Sequence, residues 1–221
     1  MAIELLDEHE QSELVRNWLR SNFSAMAFGL IGGFVMIWLV TEYLPQWQQS
    51  KRDQAGREYA SYLEVVAKKD PAAIHAAGEK LRTQFASSPY AVLSALNESS
   101  ATLDAGGDSK SALAPLQWAK TEAELPELRD LAALRLARVQ LEVGETDAAL
   151  TTLDAVDAVG FASQAAEIRG DVLLAQGKAS AARAAYELAL IDLDASSSRR
   201  QLVEMKRDDL PVTSATAKAG G

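Results

Sequence analysis

An uncharged run of 21 residues, Ser21 to Thr41, constrains this chain more than any other stretch. No acidic or basic residue interrupts it between Arg20 and Glu42. A helix of this length extends about 31 Å at about 1.5 Å per residue, close to the ~30 Å hydrocarbon core of a bilayer. A helix in a soluble core usually keeps a polar stripe, and this run has none. The run therefore predicts a membrane-spanning helix, which we place at residues 21–44.

The residues before this run do not have the composition of a cleavable signal peptide, whose leading segment is basic. They contain five acidic residues and only two arginines, Arg16 and Arg20. Both arginines lie close to the span, whereas the first cations on the other side, Lys51 and Arg52, lie further out. Since positive residues near a span favour the cytoplasm, we expect residues 1–20 to be cytoplasmic and residues 42–221 to lie across the membrane.

Two features of the N-terminal part could contact other molecules. An apolar face on residues 11–20, made by Leu14, Val15, Trp18 and Leu19, predicts an amphipathic segment on the membrane surface or a docking site for a soluble partner. Within the span, small residues recur at every fourth position, which would let a second helix approach closely: Ala25, Gly29 and Gly33. Such stripes also occur without a function, so pairing of spans is one of two interpretations.

Composition argues against several classes of function. The 221 residues carry a net charge of −9, which would repel phosphate backbones and argues against nucleic-acid binding. The chain has no cysteine and only two histidines, His9 and His75, which the predicted span separates. Thiol catalysis, a zinc finger or a histidine-based catalytic set cannot be assembled from these residues. We therefore predict a protein that is not an enzyme and needs no cofactor.

Beyond the span the chain is rich in helix formers and contains an internal repeat. Three segments align without gaps: Gly107–Ala119, Gly144–Val156 and Gly177–Ala189. In each, an alanine follows the glycine by five residues and a bulky apolar residue follows it by nine. The glycine would end a first helix in the left-handed conformation, and the alanine would let a second helix pack closely against it. The pattern predicts a row of helical hairpins.

The spacing and residue types of these hairpins resemble the tetratricopeptide repeat. We expect a fourth, weaker hairpin around Tyr59–Phe85, a capping helix at residues 199–209, and a kink in the first repeat at Pro115. The predicted fold is all-α: one N-terminal transmembrane helix, then a tetratricopeptide-like helical-hairpin solenoid. After the span, we expect a polar stalk at residues 45–57, the periplasmic solenoid at residues 58–210 and a disordered tail at residues 211–221.

The most distinctive polar residues occur in the second repeat, within Leu134–Gln140. In a tetratricopeptide hairpin the equivalents of Arg135 and Arg138 point into the groove, and Glu167 and Asp171 hold the matching positions in the next repeat. Two interpretations stay open. The four residues form a ladder of ion pairs between neighbouring first helices, or the arginines bind a carboxylate of a partner protein.

The combination of a short N-terminus, one span, a stalk and degenerate repeats resembles the YfgM-type ancillary subunits of the SecYEG translocon. The most specific parts are Leu134–Gln140, Ala148–Asp154 and Glu167–Asp171. The resemblance implies a single-pass protein of the bacterial inner membrane, with the repeat domain in the periplasm. It also implies association with SecYEG and with a PpiD-like membrane-anchored periplasmic chaperone, and help in handing secreted proteins to chaperones. It implies no catalytic residue.

A second class of function remains open alongside this one. The protein could be a membrane-tethered scaffold whose cytoplasmic N-terminus sequesters a response regulator of envelope stress, a role that the resemblance also implies. Co-purification in mild detergent distinguishes the two, because channel subunits accompany an adaptor and a soluble regulator accompanies a scaffold.

Overall fold

The computed structural model of the protein describes residues 8–211 except residues 158 and 195. It divides the chain into two units at Asp53 and Gln54. Within the described residues all regular secondary structure is helical, and no strand is present. This confirms the all-α prediction. The tail predicted to be disordered lies, apart from Pro211, outside the described residues.

The first unit is dominated by α1, which runs from Glu8 to Trp38 and is followed by a π-helical turn, Leu39–Tyr43. The segment Val15–Tyr43 of this unit is long and apolar enough to cross a membrane. The sequence predicted a separate surface segment before the span. Instead α1 continues through Arg20 without a break, because no proline or glycine stands there to end the helix.

The next helix, α2, spans Leu44–Val66 and joins the predicted stalk to the first hairpin. The other helices follow at short intervals, and two of them are preceded by 3-10 turns, Ser109–Ala112 and Val159–Phe161. The remaining helices are α3 (Pro71–Gln84), α4 (Pro89–Asp104), α5 (Leu113–Glu122), α6 (Pro126–Glu142), α7 (Thr146–Leu153), α8 (Ala162–Ala175), α9 (Ala179–Ile191) and α10 (Ser198–Asp208).

Proline and a capping residue begin two of these helices where the sequence predicted a stop and restart. The Asp70 carboxylate accepts hydrogen bonds from the backbone N–H groups of Ala72 and Ala73 at 3.0 and 3.3 Å. The Ser88 hydroxyl accepts one from the N–H of Tyr90 at 3.2 Å. Each cap precedes a proline, whose missing N–H costs nothing in the first helical turn.

Glycine ends the first helix of each of the three aligned hairpins, but the first of them uses a different glycine from the one predicted. Gly106, Gly144 and Gly177 have positive φ of 77°, 86° and 75°. The N–H of the next residue returns to the preceding helix, as Gly107 does to the carbonyl of Thr102 at 2.8 Å. Gly107 itself packs so closely that a Cβ there would lie 2.8 Å from the Thr102 oxygen.

The expected kink at Pro115 is also absent from the described chain. The segment that was predicted as one helix divides into the 3-10 turn and α5, which begins at Leu113. Pro115 is therefore in the first turn of α5, where a helix needs no N–H donor from it. One extra residue between Gly106 and Ala112, relative to the other two hairpins, makes room for this turn.

The repeat positions predicted to pack between helices are all buried. The three alanines, at 112, 149 and 182, have no exposed surface, and Leu116, Leu153 and Tyr186 are at most 2% exposed. Four apolar clusters succeed one another along the second unit, from one around Tyr62 and Ile74 to one around Tyr186 and Val203. Each hairpin thus buries its apolar face against its neighbours, as in a helical-repeat solenoid, and α10 closes the row as predicted.

Candidate protein-interaction site

The two arginines of α6 that were predicted to face the groove, Arg135 and Arg138, have different environments. Arg135 is half-buried, and its Nη1 donates a hydrogen bond to the carbonyl of Leu96 on α4 at 2.8 Å. Arg138 is exposed and has no hydrogen bond or ion pair within the described part of the chain. A guanidinium free of internal partners can still bind a carboxylate in a bidentate manner. Of the two, Arg138 is the one available to a partner protein.

The two acids of α8 pair with α10 instead of α6. Glu167 is buried and lies 3.0 Å from the Nζ of Lys206 and 2.8 Å from Arg199 Nη2. Asp171 lies 2.8 Å from the same Lys206 Nζ and accepts a hydrogen bond from the Tyr186 hydroxyl at 2.8 Å. The predicted ladder between α6 and α8 is therefore wrong.

Packing explains why the ladder does not form. Arg135 turns towards α4, and the capping helix brings two cations to α8. Lys206 is also 5.9 Å from the ring centroid of Tyr186, which adds a cation–π contact. Glu167 and Asp171 are consequently neutralised within the domain, and a partner would have to displace α10 to use them.

The cluster around Glu167 shifts the pKa values of its members. Burial raises the pKa of Glu167, but the hydrogen bonds and charges of Lys206 and Arg199 outweigh it, and the pKa falls below its usual value. Burial lowers the pKa of Lys206, but Asp171 and Glu167 outweigh it and raise that pKa overall. Burial, and then the hydrogen bond to Asp171, raises the pKa of Tyr186. Both members of the Lys206–Glu167 pair are therefore charged at neutral pH.

Two further arginines fix α10 against α9 through backbone carbonyls. Arg183 on α9 donates to the carbonyls of Arg207 and Leu210 at 2.9 and 3.2 Å. In the other direction Arg200 on α10 donates to the carbonyls of Leu190 and Leu193 at 3.1 and 2.8 Å. Each arginine thus supplies donors to carbonyls near the C-terminal end of the neighbouring helix, where the helix itself provides none.

The predicted contact surface of the span is open in the described chain. Ala25 is exposed, and a Cβ added at Gly29 or Gly33 would meet no atom within 4 Å. The backbone there is accessible to another helix, and pairing through this stripe stays a prediction.

Sequence reasoning did not identify the cations that bind Glu167. Arg199 and Lys206 are seven residues apart, which places them on one face of a helix, and the hydrophobic Val203 lies between them. This pattern could have shown that one face of the capping helix carries both charges. It could not have shown which acids they meet, because that depends on how the turn after α9 places α10.

Residues 16–212 match the family model of a tetratricopeptide repeat-like domain. An ancillary SecYEG translocon subunit of Escherichia coli K12 is 31% identical over 206 residues, which cover 93% of this chain and 98% of that protein. The chain belongs to this family. An ancillary SecYEG translocon subunit of Haemophilus influenzae is 28% identical over 95% of this chain and 100% of its own length. One from Neisseria gonorrhoeae is 32% identical over 73% of this chain and 77% of its own length. No solved structure is significantly similar.

The matched residues include both units of the structure. The span candidate Val15–Tyr43 and the hairpins from α2 to α10 fall almost entirely within residues 16–212. The family assignment therefore applies to the apolar helix together with the repeat domain, and it agrees with the resemblance drawn from the sequence.

Proposed function

We propose that this protein is a membrane-anchored, non-enzymatic adaptor that associates with the SecYEG translocon. The observation that carries the proposal is the joining of one apolar helix to a tetratricopeptide-like domain, in a chain similar over almost its whole length to ancillary SecYEG translocon subunits. Helical-repeat domains serve as extended binding surfaces, and the apolar helix would hold this surface beside the channel. Purification in mild detergent should recover the channel subunits with the tagged chain.

The location that fits this function is the inner membrane, with residues 1–20 in the cytoplasm and the domain after residue 42 in the periplasm. Arg16 and Arg20 beside the span support this orientation. Protease added outside spheroplasts should then remove the helical domain and leave a fragment that contains α1. Full protection of the domain would contradict the orientation.

A PpiD-like membrane-anchored chaperone is the proposed periplasmic partner, and handover of emerging secreted proteins is the proposed task. Arg138 supports a contact of this kind, since it is exposed and has no partner within the described residues. Replacing Arg138 by glutamate should reduce co-purification of the chaperone and leave thermal stability unchanged, and Arg138→Lys should keep most of the binding. An equal loss with both variants would argue against a charge contact.

The alternative, a scaffold for a cytoplasmic response regulator, predicts a different co-purification result. A soluble regulator would have to co-purify with the chain and be lost when residues 1–14 are deleted. Recovery of that regulator without channel subunits would favour the alternative, and recovery of the channel from the deletion variant would favour the adaptor.

A further inference from the structure

The outward face of α9 is apolar. Ala181, Ala184, Leu188 and Ile191 are all exposed, and they follow one another at intervals of three, four and three residues. At 100° per residue they occupy an arc of about 80°. Leu188 is 59% exposed and Ile191 is 70% exposed, which is unusual for aliphatic side chains aligned on one stripe. A stripe of this kind indicates a surface that is covered in the working protein.

The preceding hairpin has no large aliphatic side chain at the equivalent positions, so the stripe is not a general property of the repeats. With the turn glycines aligned, the equivalents of Ala181, Ala184, Leu188 and Ile191 are Ala148, Thr151, Ala155 and Ala158. Thr151 follows its turn glycine by seven residues, as Ala184 follows Gly177. Leu188 and Ile191 are therefore a feature of the last hairpin and not of the one before it.

We propose that a second copy of this chain covers the stripe, with the two α9 helices antiparallel about a two-fold axis near Tyr186. Ala181 and Ile191 lie five residues to either side of Tyr186, and Ala184 and Leu188 lie two residues to either side. Antiparallel pairing therefore places each small residue of one copy opposite a large residue of the other. This is the self-complementarity that an isologous interface requires.

The charges beside the stripe are arranged about nearly the same centre, one residue earlier at Ala185. Arg183 and Glu187 lie on one flank, where they already form an ion pair of 3.3 Å within the helix. Antiparallel pairing brings each near the opposite charge of the second copy. On the other flank, Lys178 at the start of α9 would meet Asp192 of the second copy at the end of its helix. All four charged positions are then matched by an opposite charge.

Parallel pairing fails on both criteria. It would turn the flank with Lys178 and Asp192 of one copy towards the flank with Arg183 and Glu187 of the other, so that the nearest charges, Lys178 with Arg183 and Asp192 with Glu187, are alike. It would also leave a gap where Ala181 faces Ala181. Like charges in direct opposition disfavour an interface, and unfilled space loses packing contacts. The order of charges and side-chain sizes along α9 therefore selects the antiparallel arrangement.

The expected contact is weak in solution. One pair of 13-residue helices buries less surface than the ~1,600 Å² of a standard protein interface. Confinement to a membrane raises the effective concentration of the two domains, which compensates for a small contact area. The proposal thus depends on the membrane anchor but not on association with the translocon.

Cysteine cross-linking in membranes tests the arrangement directly, because the chain contains no cysteine. Two differently tagged full-length chains, one carrying Ala184→Cys and the other Leu188→Cys, are co-expressed and oxidised with copper–phenanthroline. We expect the mixed disulfide between the two tags to exceed both same-site disulfides several-fold. A chain with Thr151→Cys, which is exposed at the equivalent position of α7, supplies the background for random collisions.

Three results would overturn the proposal: mixed cross-links no more frequent than those of Thr151→Cys, same-site cross-links dominant, or a product containing a different protein. The second would indicate a parallel pair, and the third a different occupant of the stripe. Circular dichroism of each variant checks that the domain is folded, which these exposed positions should allow.

A charge exchange provides an independent test of the same geometry. Lys178→Glu in the cysteine background should reduce the mixed disulfide several-fold, and adding Asp192→Lys to the same chain should restore it. Failure of the second substitution to restore the cross-link would contradict the pairing of Lys178 with Asp192 across the two-fold axis.

Discussion

A buried glutamate occurs in both the first and the last part of the helical domain, and the two are neutralised differently. Glu98 on α4 is bound by His75 at 2.7 Å and by Arg82, both on the neighbouring helix α3. Glu167 on α8 is bound by Arg199 and Lys206, both on the capping helix α10. The exposed side-chain fractions are 2% for Glu98 and 7% for Glu167. The principal difference lies in the cations.

Arg82 is nearly as buried as Glu98, with 10% of its side chain exposed, whereas Arg199 and Lys206 keep 37% and 28%. The Glu98 carboxylate also rests against Gly78, where a Cβ would collide with its Oε2. The Glu98–Arg82 pair of the first cluster is therefore shielded from water within the domain. The second is partly solvated, so water can replace a lost partner more easily. The lesson is that similar ion pairs should differ in strength according to where they lie in the row of helices.

The largest effect is expected from Arg82→Ala, which would leave a buried carboxylate with only His75 beside it. We expect the free energy of unfolding to fall by about 3–5 kcal/mol. Urea denaturation of the detergent-solubilised chain, followed by circular dichroism, measures this. Adding Glu98→Gln to the variant should recover part of the loss. A loss below about 1 kcal/mol for Arg82→Ala would show that water reaches the Glu98 carboxylate.

A smaller effect is expected from Lys206→Ala, because its partners remain bound to Arg199 and Tyr186 and are closer to water. The free energy of unfolding should fall by about 1–2 kcal/mol in the same assay. Lys206→Met removes the charge but keeps most of the packing against Tyr186. Comparing it with Lys206→Ala therefore separates the contribution of the charge from that of the packing. If Lys206→Ala were as destabilising as Arg82→Ala, the two clusters would have to be regarded as equally buried.

The Glu167 cluster should also have a defined pH dependence. Because the folded-state pKa of Glu167 is depressed, its contribution is present above its usual value of 4.5 and is lost as pH falls through the folded pKa. At neutral pH, Glu167→Gln should therefore lower the free energy of unfolding by about 1 kcal/mol. The difference from the natural chain should vanish in strong acid, and thermal melts at both pH values test this. If the stability difference between Glu167→Gln and the natural chain grew on acidification, the prediction would be contradicted.

Lys206 makes the corresponding prediction at high pH. Its folded-state pKa is raised, so its contribution is present below its usual value of 10.5 and is lost as pH rises through the folded pKa. The melting temperatures of the natural chain and of Lys206→Met should accordingly converge in alkali. A constant difference over the whole alkaline range would show that the charge of Lys206 is not the cause.

The smallest effect is expected from His75→Gln. The imidazole is 59% exposed, and a glutamine amide can donate to Glu98 in place of Nδ1. The free energy of unfolding should change by about 0.5 kcal/mol or less. A loss comparable to that of Arg82→Ala would show that His75 carries the neutralisation of Glu98, and would reverse the order of its two partners.

Local patterns in the sequence were sufficient for most of the architecture. The uncharged run, the prolines after Asp70 and Ser88, and the alanines at 149 and 182 act through contacts with residues nearby in the chain or with the other helix of one hairpin. Helix length, capping and close packing of small residues follow from such short-range physics. The span candidate, the helix starts and the hairpin packing were therefore predictable.

The tertiary structure decided which charges meet. Glu167 and Asp171 had plausible partners in Arg135 and Arg138, but the choice depended on where a helix more than 30 residues later would pack. It also depended on Arg135, which reaches a carbonyl 39 residues earlier in the chain. Ion pairs depend on distance and burial, which are set when whole helices dock, so sequence spacing alone cannot rank the candidates. The sequence determined the helices and their order, and packing between hairpins determined the candidate site.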